Sequence, residues 1–429
     1  MKSINEKKIL KDLAQQYIEI TKKQRNEELR TLWRKHNNLQ KVKVPVLCSW
    51  LWGSVLGDFL FDDELVCTQP MLRDVERKLR NLIFHETIQD DFIFEPWLTI
   101  PAVHKLPIEQ PTESFRDFIM EGGLWGDISK LQIKHASLGG VAWIPEPIIK
   151  TMDDIDKLKW VHHEVDEIKT SERIDFFNDI FEGIIKINVD RRPIYYYNWS
   201  GSDIATCLGM FLGLQNLMLN IYENPELIHA LAKFMQNAVL ITFDEAEKAG
   251  DWYPSESPNT NMGMPYCEGY PDPTPNKGYK MKDLWFFTHG QEFTLISPDQ
   301  HEEFLLKYQM PIMSRFGLVS YVCCENITNK INMLRKIPNL RRIGITPTAD
   351  VEKCAEQIQQ DYVFSWKPNP SMICCGFDKN AIHKTIKEGL DKSQGCIIDI
   401  MLKDISTVQG EPQRLIEWTK IVSDISAKY

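Results

Sequence analysis

The 429-residue sequence predicts an α/β protein: a (β/α)8 TIM barrel carrying an α-rich N-terminal extension. Three observations carry that prediction. Short segments rich in β-branched and aromatic residues alternate with amphipathic helical segments through the last two thirds of the chain, as parallel βαβ units require. The strand count there approaches eight. No Gly-x-Gly-x-x-Gly opens any of the helices, which removes the main signal for an open dinucleotide-binding sheet.

The elements follow in order. Residues 1–39 read as a long polar helix, with Ile9, Leu10, Leu13, Tyr17, Leu29, Leu32 and Trp33 recurring at helical spacing. Its apolar stripe packs on the body or on a partner subunit, so a homodimer is compatible with it. Strands are expected at 42–52 and 90–100, with a helix near 70–86 between them. Residues 1–115 are grouped as the helical extension packed on the barrel, and 116–429 as the barrel itself. Barrel strands are expected at 194–199, 284–290, 318–324, 340–346, 361–366 and 395–402, parallel and adjacent in order, with two more near 141–145 and 251–254. Helices are expected at 208–221, 225–249, 298–316, 327–336, 350–360, 378–390 and 411–427. Asn224-Pro225 and Ser297-Pro298 combine an N-cap with proline at the first helical position, and Asp350 is a further cap candidate.

Composition narrows the function classes. Apolar residues make up 43% of the chain and charged residues 26%, ordinary values for a globular protein. The formal net charge is -10, and the densest basic stretches are the first helix and Arg341-Arg342. No basic stripe suits nucleic acid. No run of 18 apolar residues suits a membrane span, and MKSINEKKIL has no apolar secretory core. The ten cysteines show no C-x-x-C framework. A reducing cytoplasm and free thiols are expected.

The active site of a barrel forms at the C-terminal ends of its strands. That rule selects Asn198 and Ser200, Ser255 and Asn259, His289 to Glu292, Cys323 to Asn326, Thr346 to Asp350, Lys367 to Asn369, and Lys403 with Asp404. Of these, Glu292, Glu325, Lys367 and Asp350 are the candidate catalytic residues. Trp199, Asn259, Gln291, Tyr321, Trp366 and Asn369 are the candidate substrate contacts. Cys323 and Glu325 alternate onto one strand face, and with His289 they form a candidate set for zinc. Lys367 either binds a carboxylate or phosphate, or pairs with Asp350 or Glu325. Cys324 is assigned to packing or a turn, Cys374-Cys375 to packing, and His162-His163-Glu164 to a charged surface segment.

The runs GLVSYVCCENI, IPNLRRIGITPTADVEKCAEQI, DYVFSWKPNP and IMLKDISTVQGEPQRLIEWTKI, with LRDVERKLR and DDFIFEPW nearer the N-terminus, resemble the uroporphyrinogen decarboxylase-like superfamily, in a branch near the corrinoid-dependent methyltransferases. The resemblance runs from about residue 65 onward. It implies a (β/α)8 barrel, in agreement with the strand count. The decarboxylases carry an arginine-rich loop that grips propionates, and no such stretch occurs here. The methyltransferase branch carries a His-x-Cys motif and a later Cys that bind zinc. Tyr321-Val322-Cys323 stands at the first position and Trp366-Lys367 near the second, so Cys323 alone carries over.

The resemblance implies a methyltransferase that demethylates a small methylated compound and passes the methyl group to a corrinoid carried on a partner protein. A metal-assisted decarboxylase or lyase acting on a small carboxylate is the first rival. A barrel that binds a ligand or partner without turnover is the second.

Overall fold

Side chains alternate across a strand, and here the alternation separates an oily outer face from a polar inner one. The computed structural model describes residues 2–50, 65–106, 123–126, 133–135, 143–196, 202–256 and 261–429. Its strands are β1 (Val46–Trp50), β2 (Trp97–Pro101), β3 (Ile133–His135), β4 (Trp143–Pro145), β5 (Lys186–Asp190), β6 (Trp285–Thr288), β7 (Leu318–Tyr321), β8 (Leu340–Ile345), β9 (Val363–Trp366) and β10 (Ile397–Ile405). Six of them form one parallel sheet in the order β1-β10-β9-β8-β7-β6. β2 and β5 make a separate parallel pair, and β3 and β4 an antiparallel one. The large sheet curls into a half-barrel with helices on its outside. Among the described residues it does not close into an eight-stranded ring.

The five C-terminal strands are parallel and adjacent in order, as their spacing predicts. Other expectations need correction. The segment Ile194–Tyr196 is a 3-10 turn rather than a strand; the strand of that unit is β5, and residues 197–199 lie outside the described residues. No strand forms at 251–254, and 143–145 belongs to the antiparallel pair. β1, which falls inside the segment grouped as an extension, is a full member of the main sheet beside β10.

The first helix is two, Lys2–Thr21 and Arg25–Asn37. The helix expected at 208–221 is also two, Ile204–Leu212 and Leu214–Glu223, bent by 92° at Gly213, whose φ of 76° suits glycine. No single described helix is long and apolar enough to cross a membrane. Ser297 and Asp350 cap their helices by accepting from the backbone N–H groups of Gln300 and Lys353; Asn224 makes no such bond. Helix 298–313 carries a π segment at Glu302–Leu306, a feature that often marks a functional position.

On the outer face Ile343, Ile345, Phe364, Trp366, Ile398, Ile400 and Leu402 join the main hydrophobic core under the helices. Trp366 fills the space beside Gly389 of helix Lys379–Lys392, where an added Cβ would lie 2.1 Å from the indole. Glycine inside a helix is otherwise unfavourable by about 1 kcal/mol. We expect Gly389→Ala to destabilise the protein by about 1–3 kcal/mol through overpacking; an unchanged urea midpoint would show that the indole can move aside.

The inner face holds a floor of buried polar groups. Arg342 of β8 donates to Asp399 Oδ2 of β10 at 2.5 Å, and Ser365 of β9 donates to Asp399 Oδ1 at 2.7 Å. Helix Arg25–Asn37 supplies the rest. His36 Nε2 meets Asp399 Oδ2 at 2.9 Å, Asn37 Oδ1 accepts from Arg342 at 2.7 Å, and the Trp33 ring lies 5.8 Å from the guanidinium carbon. The basic pair in the sequence is therefore structural: Arg342 is fully buried, and Arg341 donates to the Asn37 carbonyl.

Candidate active site

At the opposite end of the strands from this floor, the segments after β6 and β7 and the last residues of β10 gather near the start of helix Ile204–Leu212. β6 ends at Thr288, and the backbone turns tightly through His289 and Gly290 into a 3-10 turn at Gln291–Phe293. Gly290 has no room for a side chain, since a Cβ would lie 2.5 Å from the His301 ring and 2.7 Å from the Tyr321 hydroxyl. The turn places His289 Nε2 2.9 Å from Asp203 Oδ2. Asp203 is also the helix cap, accepting from Thr206 N. Burial alone would lower the His289 pKa, but the Asp203 carboxylate, with Glu292 and Glu325 nearby, outweighs it and raises the imidazole to about 9.

Glu292 stands beside this pair. Its Oε1 accepts from the Thr206 hydroxyl at 2.9 Å, and its Cγ would lie 2.7 Å from a Cβ at Gly209, one helical turn further on. Oε2 is buried with no hydrogen-bond partner among the described residues. Burial, opposed by His289 and reinforced by Asp203, pushes the Glu292 carboxyl up to about 7. A carboxylic acid that exchanges its proton near neutrality is suited to general acid–base work.

Glu325, after β7, is fully buried and accepts from Gly290 N at 3.0 Å. Its Oε2 lies 3.9 Å from both Lys330 Nζ and His301 Nδ1. Lys330 Nζ donates to the Phe293 carbonyl at 2.6 Å and faces His301 Nδ1 at 3.1 Å. Burial, then the Lys330 charge, holds the His301 pKa well below the ordinary histidine range, so the ring is neutral. Nδ1 accepts from Lys330, which leaves the proton on Nε2 to meet the Tyr321 hydroxyl at 3.0 Å. This second layer fixes the turn that carries His289 and Glu292.

On the other side of the mouth, the Cys323 thiol donates to Gln291 Oε1 at 2.9 Å and lies 4.0 Å from Cys324 Sγ. The exposed Cys324 accepts from Lys403 Nζ at 3.0 Å and donates to Asp404 Oδ2 at 3.3 Å. Lys403 and Asp404 sit where β10 bulges against β1: Cys48 pairs with Leu402 but Trp50 with Ile405, and Asp404 takes a left-handed φ of 59°. The Cys323 hydrogen bond and the Lys403 ammonium outweigh burial and bring the Cys324 thiol down to about 6.

The expected site residues divide accordingly. His289, Gln291, Glu292, Cys323 and Glu325 gather at the mouth. Trp199 and Asn259 lie outside the described residues. Trp366 belongs to the outer core, and Tyr321 is buried there with only its hydroxyl reaching the second layer. Asn369 is exposed and accepts from Ser371 N in a local turn. Asp350 is an exposed helix cap, 3.2 Å from Lys353 Nζ. Lys367 pairs with neither Asp350 nor Glu325. It points inward, donating to the Asn261 carbonyl at 2.7 Å, and burial lowers it to about 7. The surface assignment also fails for His163, which is buried against Asp251 at 2.8 Å.

The zinc set of Cys323, Glu325 and His289 is not assembled. His289 Nε2 is taken by Asp203, the Cys323 thiol by Gln291, and Glu325 faces Lys330. Among the described residues no three His, Cys, Asp or Glu side chains are grouped to hold a metal ion. Sequence reasoning missed Asp203, Thr206, His301 and Lys330. Asp203 carried a signal, a capping residue before an apolar helical run; His301 and Lys330 sit within or beside helices and carried none.

No protein-family model matches the chain, and no curated protein matches its sequence. Among solved structures the fold is similar to a methyltransferase from Methanosarcina mazei, at 14% identity and a TM-score of 0.47, over 91% of this chain and 98% of that one.

Proposed function

We propose that this chain is a methyltransferase that takes a methyl group from oxygen or nitrogen of a small compound and passes it to a corrinoid presented by a partner protein at the strand ends. The observation that supports this reading is the Glu292 carboxyl, held near neutrality beside the His289–Asp203 pair with one buried oxygen unpartnered among the described residues. Demethylation leaves a poor leaving group, an alkoxide or amine, unless a proton reaches the heteroatom as the carbon leaves. Glu292 Oε2 is the atom placed to give that proton. His289, charged through Asp203, stabilises the carboxylate that results. Glu325, Lys330, His301 and Tyr321 keep the turn in place. In this reading a proton from Glu292, not a metal, activates the leaving group.

The test is methylation of cob(I)alamin, followed by its absorbance, with a panel of methoxylated aromatics and methylated amines. A substrate-dependent conversion that Glu292→Gln removes supports the reading. No conversion across the panel by folded protein sinks it. The decarboxylase alternative relied on Lys367 to hold an acid, and that amine is committed to the interior.

A further inference from the structure

Cys324 has no part in the acid–base chemistry above, yet its setting is unusual for a structural thiol. Residue 324 is exposed, while the ammonium that reaches its sulfur, Lys403 Nζ at 3.0 Å, belongs to a side chain only 5% exposed. Lys403 is held in place by its own salt bridge to Asp404 and by the β10 bulge that turns both residues toward the mouth. A second thiol, Cys323, lies within reach of both Gln291 Oε1 at 2.9 Å and Cys324 at 4.0 Å, with one proton to share between them. One further thiol, a buried ammonium and an opposing carboxylate thus meet at one accessible sulfur.

We propose that Cys324 is a nucleophilic thiolate that undergoes thiol–disulfide exchange with low-molecular-weight disulfides, forming a mixed disulfide at the barrel mouth. The Cys324 sulfur attacks one sulfur of the small disulfide. The old S–S bond breaks as the new one forms, Cys324 is oxidised, and the departing half leaves as a thiolate that takes a proton from solvent. The small disulfide is the oxidant. Lys403 holds the attacking sulfur as its anion before the step. The buried Cys323, whose hydrogen bond to Cys324 and burial hold its proton on, is a poor resolving thiol, so the adduct persists until an external thiol reduces it.

The protein contains its own control. Cys375 is the other exposed cysteine, and no ammonium bonds to it among the described residues. Incubation of the full chain with hydroxyethyl disulfide, with peptide mapping by mass spectrometry over time, should label Cys324 at least about tenfold faster than Cys375. Lys403→Met should reduce that advantage to within about threefold, and Lys403→Arg should keep most of it. Dithiothreitol should restore the original mass. Equal labelling of Cys324 and Cys375, or a Cys324 rate unchanged in folded Lys403→Met protein, overturns the proposal. None of these readings depends on methyl transfer, so this inference and the proposed function fail separately.

Discussion

Asp399→Ala is expected to remove about 3–5 kcal/mol of stability, enough to unfold many domains of ordinary stability. Asp399 is 1% exposed and is the shared acceptor for Arg342, His36 and Ser365. Its loss leaves a fully buried guanidinium without a counter-charge, a larger penalty than the loss of the bonds themselves. The floor also sets a pH dependence. Despite burial, Arg342 and His36 hold the Asp399 carboxyl well below the usual range, and burial lowers the His36 imidazole. Both shifts are depressions. Their stabilising contributions are therefore complete above the unfolded pKa values, about 6.5 for His36 and about 3.9 for Asp399, and they are lost as pH falls. Thermal melts from pH 8 to pH 4 should show the wild-type midpoint dropping as the unfolded His36 takes up its proton, and melts continued from pH 4 to pH 2 should show a further drop that the variant lacks. A variant as stable as wild type would mean that Arg342 finds another partner.

The second large effect is on turnover. Glu292→Gln should lower kcat by about 10²–10⁴-fold, the range for removing a positioned general acid, while leaving the fold intact because the amide oxygen can still accept from Thr206. The sign with pH follows from the raised carboxyl. With a pKa near 7, the proton is present below neutrality and lost above it, so activity falls on the alkaline side while His289 stays charged to about 9. That limb should vanish from the pH profile of Glu292→Gln. A limb retained in the variant would assign the titration to another group.

Much of this arrangement was legible in the sequence. β6 to β10 announced themselves because each is a short β-branched or aromatic run followed by a helix, with Ser297 and Asp350 capping the helices after β6 and β8. The mouth residues after β6 and β7 followed from the rule for strand ends. Some of the errors come from the alternation of faces within those strands. Trp366 and Lys367 are neighbours in sequence, so one must face the helices and the other the interior, and neither reaches the mouth. Asp350 was both a cap and a catalytic candidate, and the local hydrogen bond to the Lys353 N–H decided between them. Cys324 read as packing because nothing local revealed Lys403, which arrives 79 residues later from a bulge in β10.

The floor beneath the sheet also constrains how the chain becomes folded. His36 and Asp399 are separated by 363 residues, Asn37 and Arg342 by 305, and among the described residues β1 pairs with β10 alone. During synthesis, β1 and helix Arg25–Asn37 leave the ribosome without their partners and must wait for nearly the whole chain to follow. The loop-closure entropy of such distant pairings slows folding. Until it is complete, the nascent chain exposes an unpaired strand and a helix face bearing Trp33, surfaces that invite aggregation or a chaperone.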